Sequence, residues 1–114
     1  MAFIDYSKKK KVTIWEGVEG YLHHSQRATF AYLTLEEGAV VDVHHHPAEQ
    51  WSHVLEGKLS FNIDGEEKVI TSGQCAFIPS NVPHSAKALS RCIVIDSFLP
   101  ARKDLIDLEK EQTS

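Results

Sequence analysis

The sequence lacks any apolar run of the roughly 18 or more residues needed to cross a membrane, so no helical span is expected. It also lacks a basic field. Twelve Lys and Arg stand against 16 Asp and Glu, a net charge of −4, which argues against nucleic acid or an anionic membrane as partner. The short basic run Lys8 to Lys11 reads as a solvated N-terminal segment. Asp5 and these lysines occupy the place where a signal peptide would carry its apolar stretch, and a cytoplasmic location is expected. Cysteine is scarce. Cys75 and Cys92 are too few for a disulfide-dense secreted scaffold, and both lie in apolar, strand-like runs. They read as small reduced core residues, with a disulfide as the less favoured alternative.

What is present is punctuation. Proline, glycine and Asp-Gly recur at short intervals, with β-branched and aromatic runs between them, and this pattern predicts many short strands. Strands are expected at 12–15, 20–23, 28–35, 38–46, 50–55, 58–63, 67–70, 75–78, 83–88 and 91–98. Asp64-Gly65 has the chemistry of a two-residue hairpin turn, whose central positions both need positive φ. After Pro100 the period changes: Leu105, Ile106 and Leu108 among charged residues predict a short helix over 101–110, followed by a frayed tail at 111–114. Residues 1–11 are expected to be irregular. The 114 residues suit one domain. The expected architecture is all-β, a closed or nearly closed jelly-roll β-barrel with one C-terminal helix.

Seven histidines carry the most specific signal. On a regular strand His44 and His46 leave the same face, with Asp42, while His45 points away. Gln50 opens the next strand beyond Pro47, and His84 follows Pro79 and Pro83. Neutral imidazole is the commonest metal ligand in proteins, although His-x-His alone is a weak signal. The wider spacing strengthens it. Gly38 is followed by five residues, His44-His45-His46, three residues, Gln50, six residues and Gly57. Further on, Gly73 is followed by five residues, Pro79-Ser80-Asn81, two residues and His84.

These two arrangements resemble the paired motifs of the cupin superfamily, and the resemblance implies a barrel that holds one divalent transition metal (nickel, zinc, iron or manganese). Three positions depart from the pattern: Gln50 stands for Glu, Asn81 for Gly and Ala88 for the final Asn. Asn also visits the left-handed region, so Asn81 is a mild change. With Gln50, three imidazoles and an amide leave the charge of a metal uncompensated, which predicts a stronger Lewis acid and weaker metal binding than a His3Glu set. A local bulge that turns Glu49 inward in place of Gln50 is the alternative.

The segment from Val94 to Asp104 looks like the end of the small pectin-degradation cupins of the KdgF type, which also carry His-x-His followed by Gln. Members of that family linearise the unsaturated uronates released by polysaccharide lyases. Carried over residue by residue, the resemblance implies metal ligands His44, His46, Gln50 and His84, a catalytic Asp96, and substrate contacts Phe98 and Arg102. It also implies a small-molecule sugar acid as substrate. Strand periodicity agrees in placing Cys92, Val94, Asp96 and Phe98 on one face. A buried aspartate needs a partner, so Asp96 either serves as a general acid/base facing the metal, or forms a structural ion pair with Arg102, or caps the strand end. Ile93 and Ile95 on the opposite face make that face apolar too, and a homodimer is expected to cover it. Two other functions share these residues: a metal-dependent cupin dioxygenase on a small organic substrate, and a non-catalytic module that binds a sugar acid.

Among the remaining candidates, His23 and His24 read as exposed or rim positions, Arg27 reads as a solvated surface residue with a second carboxylate contact as the alternative, and His53 and Trp51 fall out of phase with Gln50. Trp15 reads as a core or interface aromatic, with stacking on a sugar as the alternative.

Overall fold

The computed structural model describes residues 2–114. A short 3-10 helix at Tyr6–Lys8 precedes ten strands: β1 (Val12–Trp15), β2 (Val18–His24), β3 (Thr29–Leu35), β4 (Val40–His44), β5 (Glu49–Glu56), β6 (Leu59–Ile63), β7 (Glu66–Ile70), β8 (Cys75–Ile78), β9 (His84–Ala88) and β10 (Cys92–Leu99). One helix, α1 (Lys103–Thr113), closes the chain. The strands form two antiparallel sheets, ordered β1-β2-β3-β10-β5-β8 and β4-β9-β6-β7. The all-β reading with one C-terminal helix is therefore correct.

The period-two pattern of the strands decides which residues meet between the sheets. In β10, Cys92, Val94 and Phe98 are buried while Ile93, Ile95 and Ser97 are half-buried on the other face. In β5, Gln50, Ser52 and Val54 are buried, whereas Trp51, His53 and Leu55 are exposed. From the facing sheet Leu59, Phe61, Ile70 and Ala88 complete the core. Asp64 and Gly65 adopt φ 51° and 89°, as the two-residue turn between β6 and β7 requires. Gly57 is needed for a different reason. A Cβ there would meet the Arg91 carbonyl oxygen at 2.2 Å, and its φ is +95°.

Several expectations need correction. Strand β2 begins at Val18 and not at residue 20. Strand β4 stops at His44, so His46 lies in the following loop and not on the same strand. Cys75 is exposed, because Ala76 and Ile78 take the inward positions of β8; Cys92 is buried, and both cysteines are free. The end of the chain is helical through Thr113. Gln112 explains that extension: its Nε2 donates to the Thr13 carbonyl and its Oε1 accepts from the Thr13 N–H, each at 2.8 Å. A side-chain amide thus pairs with the open edge of β1 as another strand would. The basic run is also partly anchored. Lys9 Nζ lies 3.7 Å from Glu109, and Lys11 Nζ lies 3.5 Å from Glu19. No helix among the described residues is long and apolar enough to cross a membrane.

Candidate metal centre and adjoining pocket

The two histidine-bearing loops are tied together by their backbones. Asn81 N–H donates to the His46 carbonyl at 2.8 Å, and Ser80 Oγ donates to the Pro47 carbonyl at 2.6 Å. Asn81 takes a φ of 61°, the left-handed conformation that glycine would adopt freely. From this junction His84 starts β9 directly opposite His44 in β4, past an irregularity in register between Val41 and His44. The irregularity turns His44 inward and leaves Asp42 exposed, so Asp42 does not share the histidine face. His45 is exposed as expected.

His44, His46 and His84 present ring nitrogens that all lie within 4.8 Å of one another. Each ring is oriented in the same manner. Nδ1 of His44 lies 2.8 Å from the Asp42 carbonyl, Nδ1 of His46 lies 2.7 Å from the Ala48 carbonyl, and Nδ1 of His84 lies 2.8 Å from the Val82 carbonyl. A carbonyl only accepts, so in the neutral rings the proton sits on Nδ1 and Nε2 offers a bare lone pair. Burial pushes His84 down to about 4 and also lowers His46, which keeps both rings neutral in ordinary conditions.

This geometry fits a metal. His84 Nε2 is buried with no hydrogen-bond partner. His46 Nε2 and Gln50 Oε1 stand 3.1 Å apart, and with the proton on Nδ1 both are acceptors. Two lone pairs facing each other are poor neighbours unless a cation lies between or beside them. Gln50, and not Glu49, faces inward; Glu49 is directed outward, where its Oε2 accepts from Trp51 Nε1 at 2.7 Å.

The pocket beside the histidines is lined by His44, His84, Gln50, Asp96, Phe98 and Arg102. Trp15 joins it, its ring 5.3 Å from that of His44. The predicted trio is therefore assembled next to the predicted ligands. The Phe98 and His46 rings meet nearly at right angles with centroids 5.6 Å apart, and Arg102 lies over the Phe98 ring. Arg102 does not pair with Asp96. Its fork grips Asp104, with Nη2 to Oδ2 at 2.6 Å and Nε to Oδ1 at 3.2 Å. Asp96 Oδ1 is buried without a hydrogen bond. Burial pushes the Asp96 carboxyl up to about 6, against the opposing effects of the Ser52 hydroxyl and the Arg102 charge.

Some contributors are silent in the sequence. Ser52 and Thr29 are fully buried. Ser52 accepts from Gln50 Nε2 at 2.8 Å. Thr29 Oγ1 accepts from the Arg102 backbone N–H at 2.9 Å and lies 2.9 Å from His24 Nδ1. His24 stands beneath the C-terminal helix, 3.3 Å from Glu109, and not in the pocket. Serine and threonine are ordinary in strands, so only their inward phase beside Gln50 and Ala31 marks them. His53, Trp51 and Arg27 are exposed.

The family described as the cupin domain matches residues 31–98, more than half of the chain. The chain belongs to the cupin family. This cupin is similar to a solved RmlC-like cupin from Shewanella frigidimarina, with 31% identity over 92% of this chain and 96% of the other, and a TM-score of 0.87. It is also similar in fold to KdgF from Halomonas sp., with 24% identity over 92% of this chain and 98% of that one, at a TM-score of 0.86. An oxalate decarboxylase from Bacillus subtilis shares the fold at 19% identity and a TM-score of 0.74, over 85% of this chain and 29% of the larger protein. No curated protein matches the sequence.

Proposed function

We propose that this cupin is a metal-dependent enzyme that converts lyase-released 4,5-unsaturated uronate into the linear keto-deoxyuronate. The observation that carries the reading is the placement of a buried carboxyl, Asp96, in a pocket shared with the partly free guanidinium of Arg102 and lined by His44 and His84 of the three-histidine group. The likeness in fold to KdgF supports it, as does the resemblance of residues 94–104. His44, His46, Gln50 and His84 would hold the metal. When bound, a divalent metal supplies Lewis-acid polarisation of a substrate oxygen.

The chain's own residues account for the rest. Arg102 has donors left beyond the two used on Asp104, and these bind the uronate carboxylate. Phe98 forms the apolar wall that holds the sugar ring. The conversion is an isomerisation. The C1 hydroxyl loses its proton, the bond from C1 to the ring oxygen breaks, and C4 gains a proton as the C5 enol becomes a ketone. Asp96 moves these protons, and a carboxyl titrating at about 6 is well matched to that task near neutrality.

The test is a coupled assay. Purified metal-loaded protein is added to freshly released unsaturated uronate, and decay of the unsaturated chromophore is followed with and without chelator. Acceleration that the chelator abolishes is expected. A rate equal to the uncatalysed decay would overturn the reading, with oxygen consumption on candidate substrates then pointing to a dioxygenase and binding without turnover to a sugar-acid sensor. The same proposal includes a cytoplasmic homodimer, in which the second copy covers the outer face around Ile95, Trp51 and Phe77.

A further inference from the structure

The Gln50 side chain poses a problem of orientation. Its amide has an oxygen end and an NH2 end of nearly equal size, and only the oxygen can hold a cation. Oε1 lies 3.1 Å from His46 Nε2, the ring atom left without a proton by the bond from Nδ1 to the Ala48 carbonyl. Turned end for end, the amide would donate its NH2 to that nitrogen and make a good hydrogen bond in place of two facing acceptors. Some other group must hold the amide in the less obvious orientation.

That group is at the opposite end. Gln50 Nε2 donates to Ser52 Oγ at 2.8 Å, and Ser52 is fully buried. A hydroxyl alone does not choose, because it can donate to an amide oxygen as readily as it accepts from an amide nitrogen. It is limited to accepting only when its own proton is committed elsewhere. Asp96 is the cross-strand partner of Ser52 between β10 and β5. A carboxylate is an acceptor with no proton to give back. The Ser52 hydroxyl acts on Asp96 as a donor does, by favouring the charged form.

We propose that Ser52 is a positioning residue that transmits the acceptor character of Asp96 to the Gln50 amide, so that Oε1 rather than Nε2 is presented to the metal. The polarity runs in one direction: Gln50 NH2 to Ser52 Oγ, and Ser52 OH to the Asp96 carboxylate. The proton-moving group and the fourth ligand are thereby coupled through one buried hydroxyl. This rests on the reading of Gln50 as a ligand, and it explains how a neutral amide serves where the pattern of the family has a carboxylate. Glu needs no such arrangement, since both of its oxygens can ligate.

The test uses zinc alone, titrated into metal-free protein in competition with a chromophoric chelator. Ser52→Ala is expected to weaken zinc binding about 10- to 100-fold, the usual range for a residue that orients a ligand. Gln50→Ala should weaken it too, and adding Ser52→Ala to that variant should cost little more. In a Gln50→Glu background the Ser52→Ala loss should fall below about threefold. Asp96→Leu should cost less in the Ser52→Ala background than in the native one, whereas a purely electrostatic Asp96 would cost the same in both. Ser52→Val lacks the hydroxyl and has a side chain that strands favour, so it should reproduce the loss if Ser52→Ala fails to fold. Weakening by Gln50→Ala with none from either Ser52 variant would overturn this proposal alone. Native affinity in Gln50→Ala would overturn it together with the ligand reading. A Ser52→Ala loss undiminished in the Gln50→Glu background would make Ser52 a packing residue and overturn the proposal.

Discussion

Arg102 lies across the face of Phe98, its guanidinium carbon 4.9 Å from the ring centroid. Asp104 closes on one edge of the fork, and the side chain is only 14% exposed. The guanidinium is thus supported by the ring and held by two hydrogen bonds to the carboxylate beside it, before any substrate arrives. An arginine arranged in this way loses little freedom on gripping a second carboxylate. It also leaves Asp96 without Arg102 as an ion-pair partner, since the fork is committed to Asp104.

Arg102→Lys should therefore separate binding from metal retention. The variant keeps the charge but loses the planar fork and its stacking. Charged hydrogen bonds are worth about 1.5–3 kcal/mol, which converts to a rise in KM of roughly 10- to 100-fold for a carboxylate substrate. Metal content should be unchanged. Steady-state kinetics alongside metal analysis checks both, and an unaltered KM would remove Arg102 from the substrate contact.

Asp96→Asn should trade activity for stability. Loss of the main proton carrier is expected to slow turnover by about two to four orders of magnitude. The stability effect has a definite sign. The Asp96 carboxyl is raised from 3.8 to about 6 in the fold, so the folded chain binds more protons than the unfolded chain between those values. The associated stability is present below about 3.8 and is lost as the pH rises through about 6. Asparagine does not titrate. The advantage of the variant over the native chain should grow across that window and level off above it, at up to about 3 kcal/mol. Denaturant melts of the metal-free proteins at pH 4 and pH 8 measure the difference; equal gains at both would exclude the linkage.

Much of this arrangement is legible in the residues alone. The inward phase of Gln50 over Glu49, and of Asp96 and Phe98 over Ser97, follows from period-two alternation, which holds wherever a strand is regular. The convergence of His44 and His46 was expected for the wrong reason. It depends on β4 ending at His44 and on Asn81 and Ser80 clamping the 46–47 backbone, and no local pattern encodes such a long-range clamp. Arg102 pairing with Asp104 was hidden because residues two apart are not neighbours on a helix. It becomes feasible because Arg102 is the extended residue that precedes α1. The helical tail was hidden as well, since its anchor is the tertiary bond from Gln112 to the β1 edge.

Thr29→Val tests the support beneath Arg102. The substitution keeps the shape but removes the oxygen that receives the Arg102 N–H and contacts His24 Nδ1. Leaving a half-buried N–H without its acceptor should cost about 1–3 kcal/mol of stability. If the bond also sets where the guanidinium stands, KM should rise while zinc affinity holds. A destabilised protein with native KM would confine Thr29 to a structural role.

The outer face of the larger sheet supports the last prediction. Across it, Phe30, Ser97, Trp51 and Phe77 form one cross-strand row, with Phe30 and Trp51 on either side of Ser97 and Phe77 beyond Trp51. Trp51 stacks on Phe77 at 4.3 Å between ring centroids, yet Phe30, Trp51 and Phe77 remain 39%, 39% and 44% exposed. Tyr6 covers Tyr21 and Tyr32 farther along the same sheet, which leaves this row open. Aromatic side chains grouped in this way gain about 25 cal/mol for each Å² removed from water, and a second copy of the same face offers matching apolar surface. Light scattering after gel filtration should give twice the 12.8 kDa chain mass. Phe77→Lys should shift the species to monomer without loss of zinc binding, because the row lies on the opposite side of the sheet from His46 and His84. A native chain that stays monomeric across micromolar concentrations would show that this face is not a self-association surface.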